Sequence, residues 1–192
     1  MAKKTIKSKS RISVKKKRWY QVQAPKVLNS VVFGETVAAD PEMLKTRAFN
    51  VNLGSVIRGG KNQNVAVKFK VSEMKANICE TEFYGYELSS GYVKRLVRRA
   101  KRRVDDSFIV ESKDGIKFRL KPVVFVKTAV QASVQTALRL RLREFVGKLA
   151  TENSYDQMVS MILQGNLQKD FKTELKKIHP FVTAEVRALQ RI

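Results

Sequence analysis

The most restrictive feature of this sequence is a segment, Asn64–Val71, in which every second residue is apolar. The apolar positions are Val65, Val67, Phe69 and Val71, and they alternate with small or polar residues. Successive side chains of a β-strand point to opposite faces, so the pattern predicts a strand with one face in a core. The other face is then left for water or phosphate.

Further short segments predict strands around this one. Phe108–Val110 and Ile116–Leu120 flank Asp114-Gly115, a pair typical of a hairpin turn, and residues 123–126 extend the sheet beyond Pro122. Weaker strand patterns lie at 48–53 and 75–87, with a glycine-containing turn at 59–62. We interpret 183–189 as a strand that returns to the sheet or packs on it. Strands at this spacing predict an antiparallel β-barrel or sandwich.

Helical periodicity appears in four places. At about 100° per residue, the apolar residues of 93–104 fall on one stripe and the rest of that predicted helix is cationic. Residues 130–149 carry apolar residues on one side, which favours a helix despite an alternating stretch at 139–143. Two shorter helices are predicted, one capped by Ser154 and stopped by Gly165, the other capped by Asn166 and ended by Pro180. The predicted class is therefore α+β, with a β-rich core, an Arg-rich helix and C-terminal helices.

Positive charge is large and unevenly placed. The chain has 39 Lys and Arg against 17 Asp and Glu, a net charge of +22. Residues 152–192 hold six basic and five acidic side chains and contribute only +1, so +21 lies before them. We therefore predict a basic arm at 1–17 that orders only on a partner, an RNA-binding β-rich domain at 18–151, and a near-neutral helical segment at 152–192 that packs on the core or on a protein neighbour.

The densest cationic block, Lys94–Arg103, predicts contact with nucleic acid. Seven of its ten residues are Lys or Arg, five of them arginine, and no acidic residue occurs from Ser89 to Val104. Guanidinium groups suit phosphate oxygens, whereas a merely solvated face usually mixes in Glu. The candidate RNA-binding residues are those of this block, of the arm and its neighbours, and of two later basic segments: Lys15, Lys16, Lys17, Arg18, Trp19, Tyr20, Lys94, Arg95, Arg98, Arg99, Lys101, Arg102, Arg103, Lys117, Arg119, Arg139 and Arg143. Trp19 either stacks on a base or begins the core.

Motifs of catalysis are not apparent. His179 and Cys79 are 100 residues apart, and the glycines form neither a dinucleotide-binding nor a phosphate-binding loop. Asp105-Asp106 resembles a paired-carboxylate metal site, but after so many cations we expect it to end the helix or to pair with arginine. We therefore predict no enzyme activity, no cofactor and no small-molecule substrate. A metal-dependent RNA-processing enzyme and a chromatin-type nucleic-acid binder remain alternatives.

Four stretches resemble a known family. They are Lys15–Tyr20 followed by Ala24-Pro25; Gly91–Arg99; Asp114-Gly115 with the strand of Lys117 and Arg119; and Ile178-His179-Pro180. Together they resemble the archaeal and eukaryotic small-subunit ribosomal proteins of the S3Ae family, in the shorter archaeal form without the charged C-terminal extension of eukaryotic members. Where that family commonly has Tyr, this chain has His179, which indicates a structural position.

The resemblance implies a β-barrel protein with added helices and no catalytic role. It also implies a place on the platform of the small subunit, near the rRNA 3′ end and the messenger exit. The expected partners are small-subunit rRNA and neighbouring ribosomal proteins, and contact with messenger RNA is left open. No apolar run is long enough to span a membrane and no signal peptide is apparent, so we expect no membrane partner and a cytoplasmic, ribosomal location.

Overall fold

The computed structural model describes residues 16–57, 63–100 and 102–192. Within them the chain forms nine strands and five α-helices. In chain order these are β1 (Arg18–Gln23), β2 (Val32–Ala38), β3 (Ala48–Asn52), α1 (Leu53–Val56), β4 (Val65–Lys75), β5 (Ile78–Leu88), α2 (Ser90–Arg99), β6 (Arg102–Asp105), β7 (Phe108–Glu111), β8 (Lys117–Val126), α3 (Ala132–Glu152), α4 (Tyr155–Gln164), α5 (Asn166–Lys176) and β9 (Thr183–Arg191). Short 3-10 turns occur at Lys26–Leu28 and Pro41–Leu44.

The strands form one open sheet. The central path runs β2-β1-β5-β9-β8-β6, with β4 also paired to β5, β3 to β4, and β7 to β8. All pairs are antiparallel except β1 with β5, which is parallel. The α+β class is confirmed, but the closed barrel is not found, because in the described residues the end strands β2 and β6 do not pair with each other.

One face of the sheet is covered by helices, and the main core lies there. The inner side chains of β8, among them Phe118, Leu120 and Val124, have no exposed surface. Leu138 from α3 and Phe171 from α5 are equally buried and belong to the same cluster. The predicted helix at 130–149 is thus confirmed, and its apolar side packs on the sheet.

Turn and cap residues occupy the predicted positions with one exception. The β7–β8 hairpin forms, and Gly115 has φ 74°, a value that costs little without a Cβ. Ser154 makes a reciprocal capping box with Gln157, and Gly165 ends α4 in the left-handed conformation. Asn166 was expected to cap α5 but is its first residue, because Gly165 stands at the cap position of both helices.

The Arg-rich helix is shorter than predicted. It ends at Arg99, and Arg102–Asp105 forms β6 alongside β8. The apolar stripe was misread at its end: Val97 is 40% exposed, while Val104 is buried as a strand residue. Arg102 and Arg103 therefore lie on a strand, because Arg103, Val104 and Asp105 alternate polar, apolar and polar, a pattern that fits a strand as well as the end of a helix.

The C-terminal stretch forms β9, and its register contains a bulge. β9 lies between β5 and β8, which confirms a strand returning to the sheet. Lys121 pairs with Ala188 and Pro122 with Val186, so Arg187 has no partner residue on β8. Pro122 has no backbone N–H and cannot donate a hydrogen bond to the neighbouring strand. The extra residue opposite it, Arg187, forms a β-bulge, and a bulge changes the direction in which its side chain points.

The predicted division at residues 17 and 151 stays a prediction. The arm up to Lys15 and the turn predicted at 59–62 lie wholly or largely outside the described residues. In the part of the chain that is described, no helix has both the length and the apolar character needed to cross a membrane.

Candidate nucleic-acid interface

The outer face of the sheet, opposite α3 and α5, has a recessed floor where small residues lie between polar and charged ones. One cross-strand row consists of Lys68, Gly85, Gln190 and Arg119, on β4, β5, β9 and β8 in turn. A Cβ on Gly85 would lie 3.2 Å from the carbonyl oxygen of Leu189 and within 4 Å of the Lys68 side chain. Glycine therefore keeps the floor low and lets the lysine side chain lie across it.

The next outer row repeats this arrangement. It runs from Ala66 to Glu87, Ala188 and Lys121 across the same four strands. Two of its four members are alanine, which keeps the floor shallow beside Glu87 and Lys121. All members of the two rows except Ala66 and Arg119 line a groove of about 520 Å³ between α2 and the sheet.

Cations from five elements line this groove, which we call the sheet groove. They come from β4, α2, β6, β8 and β9, and are Lys68, Lys94, Arg103, Lys121 and Arg187. Only one acidic residue, Glu87, lines it. Such convergence of one charge sign in a concave surface concentrates the electrostatic potential and attracts polyanions.

A second groove of about 480 Å³ continues the first. Lys121 and Arg187 line both, and Arg139 and Arg143 of α3 join them in the second. Its acidic members are Asp105 and Asp106. Counting shared residues once, the two grooves hold seven cations and three acids, a net charge of +4.

Each of the three acids is paired with a groove cation. Glu87 lies 3.1 Å from Lys68, and Asp105 accepts from Arg103 Nε at 2.6 Å. Asp106 accepts two hydrogen bonds from Arg143, both at 2.7 Å. These bonds, above all, lower the pKa of Asp106, although its partial burial acts in the opposite direction. The acids thus hold three of the cations in place.

The remaining groove cations are free to meet an anion. Within the described residues, Lys94, Lys121 and Arg187 make no ion pair. Arg139 is oriented by a 3.0 Å hydrogen bond from its Nε to the backbone oxygen of Asp105, which leaves its other donors for a ligand. Cations held by acidic partners thus lie beside cations without an ion pair, and together they can contact successive phosphates of a nucleic acid.

The basic surface extends beyond the grooves along β8. Lys117, Arg119 and Lys121 occupy alternate positions, so they lie on one face of the strand over about 13 Å. Lys117 is 4.0 Å from Glu111 across the hairpin, and Arg119 is exposed.

Helix α2 contributes the predicted cations at its surface. Lys94, Arg95, Arg98 and Arg99 are exposed, while Val93 and Leu96 fix the helix on the core. Arg95 donates to Asn64 at 2.9 Å and lies over the ring of Tyr92.

The residues at the start of β1 divide between the surface and the interior. Lys16, Lys17 and Arg18 are exposed, and Trp19 is 67% exposed, so the core alternative for Trp19 is wrong. Tyr20 points the opposite way into a small cluster and is only 4% exposed, so its ring cannot offer a stacking plane. Lys15 and Lys101 lie outside the described residues.

Comparisons with known proteins identify the family. The model of the ribosomal S3Ae family matches residues 5–191. The chain belongs to the ribosomal S3Ae family. A small ribosomal subunit protein eS1 from Methanospirillum hungatei is 33% identical over 172 residues, 90% of this chain and 87% of that protein. Proteins of the same name from Methanothermobacter thermautotrophicus and Methanobrevibacter smithii are 28% and 26% identical, over 90% and 97% of this chain and 88% and 96% of their own lengths.

Membership of the S3Ae family confirms that the protein is a structural component and not an enzyme. The carboxylates of Asp105 and Asp106 have the role of arginine partners that the sequence favoured. In the described part of this family member, no group of three or more His, Cys, Asp or Glu side chains could hold a metal ion.

Three groove residues of this S3Ae protein were missed by the sequence interpretation: Lys68, Lys121 and Arg187. Lys68 had been placed on the polar face of its strand, and alternation along β8 after Arg119 would have placed Lys121 on the same face. Arg187 gave no comparable indication, because its position depends on the bulge opposite Pro122.

Proposed function

We propose that this protein is a structural constituent of the small ribosomal subunit that binds rRNA with the outer face of its sheet. The observation that carries the proposal is the convergence of seven cations from β4, α2, β6, β8, β9 and α3 on two joined grooves. The names of its relatives, small ribosomal subunit protein eS1, support the assignment to that subunit.

RNA contact extends, in this proposal, from the grooves to the arginines of α2 and to the residues before β1. Trp19, exposed beside Lys17 and Arg18, supplies a stacking plane next to phosphate-neutralising charge. The family resemblance supports the finer location on the platform, near the rRNA 3′ end and the messenger exit, within cytoplasmic ribosomes. Residues 152–192 contribute a net charge of only +1, and the parts of this segment outside the cations of α5 and β9 are proposed to face protein neighbours.

The test reverses the free groove cations together. A variant with Lys94→Glu, Lys121→Glu and Arg187→Glu should bind small-subunit rRNA on the order of a hundredfold more weakly at moderate salt. The slope of log affinity against log salt should fall by roughly 2 to 3, since each lost phosphate contact removes about 0.7 to 0.9. In cell lysate on a sucrose gradient, this variant should leave the small-subunit peak.

The matched control carries the same charge change elsewhere. Lys45→Glu, Lys113→Glu and Lys148→Glu alter exposed residues outside both grooves. Equal weakening by both triple variants would show that only net charge matters and would contradict the proposal. Equal affinity of the unmodified protein for duplex DNA and for structured rRNA would favour the chromatin-type alternative instead.

A further inference from the structure

A pocket of about 290 Å³ lies on the other side of α2 from the sheet groove. Tyr92 lines this pocket and Lys94 lines the groove. Tyr92 and Lys94 are two positions apart on the helix, so their side chains point about 200° apart around its axis. Helix α2 therefore separates the pocket from the sheet groove. The volume is close to the lower end of the roughly 300–1,000 Å³ range of small-molecule sites, a size that suits one planar group.

The pocket has an apolar wall and two aromatic residues. Leu53, Leu88 and Ile162 are buried side chains of α1, β5 and α4 that line it. Tyr86 is buried behind them, and Tyr92 is only partly covered. Walls of this kind favour an aromatic ligand, because flat apolar faces stack on one another.

Gln168 closes the back of the pocket. It lines the pocket, is 7% exposed, and donates from Nε2 to the backbone oxygen of Ile162 at 3.2 Å. Its Oε1 has almost no accessible surface, so this oxygen is out of reach of a ligand and Gln168 serves as part of the wall.

A carboxylate converges on the same space. Glu185 of β9 lines the pocket, and its Oε1 accepts from the hydroxyl of Thr183 at 3.2 Å. Burial, and after it the charge of Glu185, raises the pKa of both Tyr86 and Tyr92, which line the same pocket. The remaining acceptor capacity of Glu185 is available to a ligand that donates.

Cations surround the rim of the pocket. Lys169 and Lys172 of α5 line it, and Arg95 lies against the ring of Tyr92. These charges repel the lysine or arginine side chain of a protein partner and attract a phosphodiester. A ligand with donors for the interior and a phosphate for the rim is a nucleotide.

We propose that this pocket receives one unpaired guanine base of the bound RNA. The Watson–Crick edge of guanine carries two adjacent donors, N1–H and the N2 amino group, which match the two oxygens of the Glu185 carboxylate. The base lies against Tyr92 while its phosphate meets the cations of α2 and α5. This inference rests on the proposed RNA-binding function and names one nucleotide of the substrate.

The test titrates the full chain with the four ribonucleoside 5′-monophosphates and follows binding by NMR chemical shifts. The guanine nucleotide should bind several-fold more tightly than the other three, with shifts concentrated at Tyr92, Gln168 and Glu185. Equal binding of all four nucleotides, with shifts confined to the rim lysines, would overturn the proposal, since it reports only attraction of phosphate.

Substitution of the carboxylate supplies the specificity readout. Glu185→Gln keeps the side-chain shape but presents one donor and one acceptor, so affinity for the guanine nucleotide should fall roughly tenfold while that for the adenine nucleotide rises. Glu111→Gln, on the exposed side of β7 and away from the pocket, is the control and should change neither affinity.

Two outcomes separate this proposal from its alternatives. Tighter binding of N-acetyl-lysinamide than of the guanine nucleotide would overturn it in favour of a protein side chain. The triple groove variant at Lys94, Lys121 and Arg187 tests the proposed function separately, because it leaves the pocket lining intact. If that variant keeps full rRNA affinity while Glu185→Gln still loses the guanine preference, the pocket stands and the groove does not.

Discussion

The two faces of the sheet differ sharply although the same strands build both. On β8 the inner residues Phe118 and Leu120 are fully buried, while Lys117, Arg119 and Lys121 lie between and beside them on the outer face. The inner face is packed against α3 and α5, whereas the outer face is a floor of small residues bordered by cations.

This difference separates stability from binding. Burial of apolar surface on the inner face supplies the free energy of folding, and outer-face cations repel one another until an anion covers them. Substitutions on the inner face should therefore change the free energy of unfolding, and substitutions on the outer face should change the affinity for RNA.

The largest effect is expected on the inner face. Phe118→Ala leaves a cavity at a fully buried position and should lower the free energy of unfolding by about 3–5 kcal/mol, measured by urea denaturation. Lys117→Ala, the neighbouring residue on the outer face, should change it by less than about 0.5 kcal/mol. Similar losses in the two variants would contradict the division between faces.

A smaller effect is expected for the two arginines of β9. Arg187→Ala removes a free groove cation and should weaken rRNA binding by about tenfold with little change in stability. Arg191→Ala should lower stability and leave rRNA binding nearly unchanged, because Arg191 is 2.9 Å from Glu82 and lies over the ring of Tyr155. Its expected cost is about 1 kcal/mol of stability, measured by the same denaturation. The comparison fails if Arg191→Ala weakens rRNA binding as much as Arg187→Ala.

Asp106 links the outer face to stability in a pH-dependent way. Its pairing with Arg143 lowers the folded-state pKa, so its contribution is fully present above the unfolded pKa, about 3.9, and is lost as the pH falls through the folded pKa. Asp106→Asn should cost about 1 kcal/mol at pH 7, and the difference from the unmodified protein should shrink at acid pH. Urea denaturation at pH 7 and near pH 3 measures this, and an unchanged difference would show that the ion pair is not its source.

The smallest effect is expected at Arg119, on the extension of the basic surface along β8. Arg119→Ala should leave stability within about 0.5 kcal/mol and reduce the salt slope of rRNA binding by about one phosphate contact or less. Filter binding at several salt concentrations measures the slope. An unchanged slope would show that Arg119 does not contact RNA, so that the proposed surface would be limited to the two grooves.

The sequence was most informative where a local rule acts alone. Alternation placed β4 and β8, the Asp114-Gly115 turn placed the hairpin, and Ser154 and Gly165 bounded α4. Each depends on neighbouring residues only, as hydrophobic periodicity and cap chemistry do.

What the sequence could not supply is the order of strands in space. The closure of a barrel depends on whether β2 meets β6, and the groove depends on β9 lying between β5 and β8. The end of α2 was misread because Val104 fits both a helical stripe and an alternating strand. Apart from Tyr20, which is buried, the site residues named from the sequence remain predictions, and the structure adds Lys68, Lys121 and Arg187 to them.

The position of β9 has a consequence for how the protein is made. β9 follows every other described strand along the chain, yet it is the strand that joins β5 to β8, which do not pair with each other in the described residues. Synthesis is slow compared with the formation of single strands and helices, so a growing chain holds two incomplete half-sheets until β9 emerges. Arg187 and Ala188 arrive with that same strand. The sheet groove therefore forms only once β9 has paired, and an unfinished chain lacks this part of the proposed RNA-binding surface.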